Sequence, residues 1–224
     1  MKLSFIDSIC TMRILILLLF FMTTAQMASA ADAPVAGTVS HVQGAAFANH
    51  RASSDNLHKG RAVLVGDHIV TGHNSRVLLK MVDGTMLTLG ADTEFVISAY
   101  HYSKKAKQGS ATLELISGVF RAVTGAIGKL KERDFKVRTS VATIGIRGTD
   151  FWGGFHFSKS LDVALLDGNG IYVENAAGRV EVTSIGDGTT INSANEPPTA
   201  PKHWGDKKLN AAKQSVSMEM DAQH

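Results

Sequence analysis

The chain reads as an all-β protein, and three observations predict it. Short runs rich in Val, Ile, Thr and aromatic residues recur from Val35 to Ile191. Most are bounded by Gly, Asp-Gly or Asn, the residues of tight turns. No sustained helical period occurs before residue 205. Two architectures fit this pattern. One is a sandwich of two sheets; the other is a compact β-solenoid or β-roll whose rungs stack. No repeat of fixed length is visible in the sequence, which counts against a regular solenoid.

Val35 to Val42 alternates enough for a first strand. Ala45 to Lys59 is polar and reads as a hairpin with a long turn. Arg76 to Val82 places Val77, Leu79 and Met81 on one face. Asp83-Gly84 is a turn dipeptide, and Thr85 to Leu89 returns. Phe95-Val96-Ile97 is a further short strand, Lys104 to Gln108 a basic loop, and Ala111 to Ile116 and Val119 to Val123 two more strands. Val123 to Lys131, with Gly125 and Gly128, reads as a surface loop. Ser160 to Leu166, Ile171 to Glu174, Arg179 to Thr183 and Thr189 to Ile191 follow, parted by Asp167-Gly168-Asn169-Gly170, by Asn175 to Gly178 and by Asp187-Gly188. Asn195 to Pro201 is a proline-rich link. Asp206 to Met220 is the one expected helix, with Asp206 as N-cap and Leu209, Ala212 and Val216 on one face.

Composition divides the 224 residues further. Lys2 and Arg13 precede and flank an unbroken apolar run, Ile14 to Phe21, and Ala28-Ser29-Ala30 is a small-residue cleavage site. That is the layout of a secretory signal peptide over 1–30, and the run is far short of the roughly 20 residues a membrane span needs. The expected divisions are therefore the signal peptide, an all-β domain over 31–194, and a link and helical tail over 195–224. The expected location is periplasmic or secreted, with no stable membrane span after cleavage. Cleavage removes the only cysteine, Cys10, so no disulfide framework is available and the core must hold the fold. It leaves 21 basic and 19 acidic residues. That balance gives no argument for a nucleic-acid partner.

The densest unusual stretch is Val141 to Phe155, where Gly145, Gly148, Gly153 and Gly154 interrupt β-branched residues. Glycine inside a strand marks a corner or a close backbone approach. Arg147, Gly148, Thr149, Asp150, Phe151 and Trp152 form the candidate interaction motif. In a structural reading, Arg147 pairs with Asp150 or a backbone carbonyl, Gly148 turns the chain, Thr149 satisfies backbone groups and Phe151 fills the core. In a recognition reading, Arg147, Trp152 and Phe155 line a surface, since Arg and aromatics are enriched at binding hot spots. Strand alternation puts Trp152 opposite Phe151, and so outward if Phe151 points in.

These residues also carry a family resemblance. Arg147-Gly148-Thr149-x-Phe151, after Val137 to Thr139, resembles the signature of the FecR domain. Gly66-Asp67-x-Ile69-x-Thr71-Gly72 with Ser75-Arg76-Val77 is similar to its opening. Asp83-Gly84-Thr85 with Leu87, Leu89 and Gly90 is similar to its next strand pair, and Leu115-x-x-Gly118-x-Phe120-Arg121 to its middle. The blocks stand in family order over 66–155. The resemblance implies a compact, solenoid-like β unit. In the family, such domains are similar to the outer half of a sensor that relays the state of an outer-membrane receptor to a cytoplasmic sigma factor. Here no cytoplasmic anti-sigma segment is recognisable, so the expectation is a non-enzymatic exported module that binds another envelope protein.

The alternative is an exported enzyme or binding protein acting on envelope carbohydrate. It lacks a placed constellation: there is no Gly-x-Ser-x-Gly elbow, no His pair at metal-binding spacing, and no Lys-Ser/Thr after the glycines to cradle phosphate. His68 and His73 flank a predicted turn, which leaves room for them to meet in space, but sequence spacing gives a metal site no support and the nine histidines read as surface residues. No cofactor and no metal are expected.

Overall fold

The structure, a computed structural model, describes residues 33–218. The expected signal peptide therefore lies outside the described residues. The strands are β1 (Val35–Gln43), β2 (Ala46–His50), β3 (Ser53–Asn56), β4 (Ala62–Leu64), β5 (His68–Thr71) and β6 (Arg76–Met81). Then come β7 (Met86–Leu89), β8 (Glu94–Ser103), β9 (Gln108–Ser117), β10 (Val119–Val123), β11 (Asp134–Arg138) and β12 (Thr143–Ile146). The last are β13 (Thr149–Gly154), β14 (Leu161–Gly168), β15 (Ile171–Asn175), β16 (Gly178–Val182), β17 (Asp187–Ile191) and β18 (Lys202–His203). One helix, α1 (Asp206–Ser215), follows.

The strands form two nine-stranded sheets. Sheet A runs β18-β17-β14-β13-β10-β7-β6-β1-β4, and sheet B runs β16-β15-β12-β11-β9-β8-β5-β2-β3. The all-β expectation therefore holds, and two sheets are what the sandwich alternative requires. The chain crosses repeatedly between the sheets, laying down one or two strands in one before it passes to the other. Pairing is antiparallel except between β9 and β11, which run parallel because β10 in the opposite sheet lies between them in sequence.

Alternation explains the core. Val77, Leu79 and Met81 of β6, Leu87 and Leu89 of β7, and Phe95 and Ile97 of β8 are all buried, as the period-two pattern predicts. One continuous cluster joins the inward faces of both sheets. Phe95, Phe120 and Phe151 run through it, with centroids 5.7 Å and 5.4 Å apart and the second pair edge-to-face.

Several local expectations change. The hairpin after Ala45 has a tight turn at Arg51 and Ala52, with Arg51 at φ 54°, instead of a long one. The short strand at Phe95 is the start of ten-residue β8, which pairs with ten-residue β9. A register shift between Val96 and Ala99 breaks the alternation there, so the second half hides from a period-two reading. The stretch after Val123 is a loop, as expected, but it carries a 3₁₀ turn at Ile127–Lys129 whose Ile127 is fully buried.

The C-terminal part departs furthest from the sequence reading. The proline-rich link is tied down: Thr199 N–H donates to the Thr190 carbonyl at 3.0 Å, and Asn175 Nδ2 donates to the Glu196 carbonyl at 2.7 Å. β18 then extends sheet A, and Trp204 is buried. The helix starts on Gly205 as N-cap, with Asp206 as its first residue and no side-chain cap. Ala212 and Val216 are buried, and Leu209 packs beside them. They cover the outer face of sheet A in a second cluster with Val119, Trp152, Ala164 and Trp204.

Candidate functional site

The motif is the crossover between the sheets. β12 ends at Ile146 in sheet B and β13 begins at Thr149 in sheet A, so Arg147 and Gly148 make the corner. Gly148 has φ +83°, the left-handed region that a β-branched residue enters only with strain. A Cβ there would also lie 2.7 Å from the carbonyl oxygen of Gly128. A Cβ on Gly168 would lie 2.5 Å from the carbonyl oxygen of Gly148. Gly128, Gly148 and Gly168 are evenly spaced in the chain and stack at successive corners, backbone on backbone. This spacing was present in the sequence but is masked by the different residues around each glycine.

Hydrogen bonds lock these corners. Arg147 N–H donates to the Gly170 carbonyl at 2.9 Å, and Asn169 Nδ2 donates to the Arg147 carbonyl at 3.3 Å. Thr149 is buried; its N–H donates to Thr124 Oγ1 at 2.8 Å and its hydroxyl donates to the Gly170 carbonyl at 3.2 Å. Gly148 and Thr149 thus play the parts that the structural reading gave them. A cleft of about 310 Å³ opens at this corner, with Lys129, Arg133, Asp150 and Asp167 on its walls. Its mixed charges select no ligand by sign.

The remaining motif residues do not form one surface. Arg147 and Asp150 are not partners. Asp150 takes a two-pronged contact from Arg121 on the neighbouring strand, Nε to Oδ1 at 2.8 Å and Nη2 to Oδ2 at 2.6 Å. That hydrogen bonding raises the Arg121 pKa above its ordinary value, against the opposing effect of burial. Arg147 lies on the exposed outer face of sheet B, where Nη2 meets Glu181 Oε1 at 2.5 Å. The corner between the two residues sends their side chains to different sheets. Phe151 points into the core, as expected.

Trp152 does lie on the face opposite Phe151, but it is fully buried instead of available for a partner. Helix α1 covers it, and its Nε1–H donates to Ser215 Oγ at 3.0 Å. Alternation gave the right face; only the docked tail could say that this face is not solvent. Phe155 packs partly buried against the main core. His68 and His73 do not meet: His68 lies 2.8 Å from Glu94 and His73 3.1 Å from Asp92.

What the outer face of sheet B does offer is an ordered polar ladder around Arg147. Glu181 also contacts Arg179 Nη2 at 3.3 Å, and Arg179 Nη1 contacts Glu174 Oε2 at 3.1 Å. The Arg179 guanidinium lies 3.9 Å above the ring of Tyr172. A Cβ on Gly145 would fall 2.0 Å from Tyr172 Cζ, so the ring lies flat over the bare backbone of Gly145. Glycine, aromatic ring and guanidinium therefore form a three-layer stack across β12, β15 and β16, with half-exposed, already ordered side chains. Ordered Tyr and Arg lose little conformational freedom on binding, which suits a protein-recognition surface. Tyr172, Glu174, Arg179 and Glu181 were missed from the sequence. The signal was an unexplained Gly145; its aromatic partner Tyr172 lies in β15, with β13 and β14 between them in the chain.

A family model described as FecR protein matches residues 67–169, from the buried Asp67 through all three stacked glycine corners. Two crystal structures of a "putative anti-sigma factor" from Parabacteroides distasonis share the fold, with TM-score 0.51 and 19% identity. The alignment covers 66% of this chain and 64% of theirs, so the chain spans somewhat less than two thirds of those proteins. No curated protein matches the chain.

Proposed function

From the FecR domain that residues 67–169 form, we propose that this chain is an exported, non-enzymatic FecR-type module that binds another envelope protein in signalling or assembly. The observation that carries the reading is the family match, which takes in the whole Arg147–Trp152 motif. The anti-sigma name of the structural neighbours accords with a signalling role. We read the hairpins that alternate between sheets as turns of a coiled β-roll, the compact solenoid that the resemblance implies. The surface that meets the partner is the outer face of sheet B around Arg147, Tyr172 and Arg179. Export follows from the signal layout, with Ala31 as the mature N-terminus.

Three measurements test this. Intact mass of protein recovered from the periplasm is expected to lack residues 1–30; a full-length mass in the membrane fraction removes the exported reading. Crosslinking in intact cells, from probes placed beside Tyr172, is expected to trap one envelope protein that Arg147→Ala no longer traps. Hydrolysis of a polysaccharide by the purified chain, abolished by one carboxylate substitution, overturns the non-enzymatic reading.

A further inference from the structure

The four sheet edges differ in how they are guarded. β18 has two residues and follows Pro201, which has no N–H to offer. β4 has three residues. β3 presents Ser53, Ser54, Asp55 and Asn56, and Asp55 is tethered to Arg61 at 3.0 Å. β16 is five residues long, holds register with β15 without a bulge, and contains no proline. Among the described residues, its backbone bonds only to β15.

Hydrogen-bond parity fixes the geometry of that edge. Gly170 accepts from Arg147 N–H, so the backbone groups at Gly170, Tyr172 and Glu174 turn toward β12, and those at Ile171, Val173 and Asn175 turn toward β16. Val173 pairs with Val180, and Ile171 with Val182. Those are the hydrogen-bonded pairs. Arg179 and Glu181 sit in the alternate pairs, so their N–H and C=O groups point outward from the sheet edge.

We propose that β16 pairs antiparallel with β16 of a second copy about a two-fold axis at Val180, joining the B sheets of the two copies. The occupant is selected by charge. With the axis at Val180, Arg179 stands opposite Glu181 of the second copy, and Glu181 opposite its Arg179. These are the two positions whose free backbone groups point outward, so hydrogen-bond parity and charge complementarity choose the same register. Opposite charges directly across a ladder stabilise it, and like charges destabilise it. The two Val180 residues meet in a non-hydrogen-bonded pair, where side chains come closest. Val180 is only half-buried in one copy and packs against the main core, so the pairing completes its burial. Pro197 lies where a Cβ on Gly178 would point, on the same face as Val180 and Val182. The interface is isologous, one patch serving both copies. The inference stands apart from the identity of any envelope partner.

Light scattering and sedimentation on the full chain across a concentration series test it. The wild type is expected to dimerise. Glu181→Arg sets arginines opposite each other and is expected to weaken association about tenfold or more. The charge-swapped double variant Arg179→Glu with Glu181→Arg restores opposite charges across the axis and is expected to recover the dimer. Thermal melts confirm that each variant is folded, which is expected because both side chains are exposed and surface ion pairs contribute little. A wild type that stays monomeric throughout, or a dimer that Glu181→Arg leaves intact, overturns the proposal. Failure of the double variant to re-associate overturns this register.

Discussion

Trp152 Nε1–H donates to Ser215 Oγ across 3.0 Å, and this bond joins the central motif to the last helix. The tail is therefore part of the folded body. Ending the chain at Asn195 is expected to lower stability by several kcal/mol, because it uncovers Trp152 and Ala164 and deletes Trp204. Burial of one large apolar side chain contributes about 1.5–3 kcal/mol. Denaturant melts of the truncated and full chains measure the difference; equal midpoints and slopes would refute the docked tail. Trp152→Ala is expected to cost about 3–5 kcal/mol. That is at least as much as the strain of about 1–3 kcal/mol at Gly148→Val, before its collision with Gly128 is added.

The second anchor of the tail is electrostatic. Lys208 Nζ lies 2.7 Å from Asp162 Oδ1, and Asp162 is almost fully buried on β14. The same ammonium sits 4.1 Å from the Trp204 ring centroid. Removing one partner of a buried pair leaves an uncompensated charge, at about 3–5 kcal/mol, less here because Lys208 is one-third exposed. Lys208→Met keeps the stem and removes the charge. It is expected to destabilise the chain, with Asp162→Asn in the same background recovering part of the loss. A Lys208→Met variant as stable as the wild type would make the pair ornamental.

Gly145→Ala is expected to displace Tyr172, since the new Cβ would sit 2.0 Å from Cζ. With the ring gone, Arg179 loses its stacking surface. A double-mutant cycle of Gly145→Ala and Tyr172→Ala measures the coupling, which for residues in contact runs about 0.5–3 kcal/mol. Additive effects would mean that the stack is incidental. Binding of the crosslinked partner is expected to fall in both single variants.

Tyr100 supplies a pH dependence. Its hydroxyl donates to Asp83 Oδ1 at 2.7 Å, and the same carboxylate accepts from Thr85 N–H, Thr85 Oγ1 and Ile127 N–H. Burial, and then the Asp83 charge, push the Tyr100 pKa far above the ordinary tyrosine range. A raised folded pKa gives stability that is complete below the unfolded value of about 10 and is lost as pH rises beyond it. Stability is therefore expected to fall by up to about 1.4 kcal/mol per pH unit above pH 10 from this group. Ultraviolet titration is expected to show one tyrosine ionising only with unfolding. In Tyr100→Phe that component of the slope disappears; an unchanged slope would assign it elsewhere.

Asp83 also illustrates how a sequence reading falls short. Asp-Gly announced a turn, and the turn is there. The same carboxylate also ties β8 of the other sheet and the 3₁₀ turn to that hairpin, through partners 17 and 44 residues away. Turn chemistry is local and legible, whereas a second use of the same oxygens depends on which segments meet above it.

The all-β class, the faces of the alternating strands, the turn at Gly148 and the inward position of Phe151 are legible in the amino-acid order alone. Each follows from steric rules that act over a few residues: side chains alternate along a strand, and only glycine enters the left-handed region without strain. Tertiary structure decided the rest. It separated Arg147 from Asp150 by sending them to different sheets, stacked Gly128, Gly148 and Gly168, and laid Tyr172 over Gly145. It also buried Trp152 under helix α1. Those outcomes depend on contacts between residues distant in the chain, where the apolar area removed from water, not local preference, selects the partner.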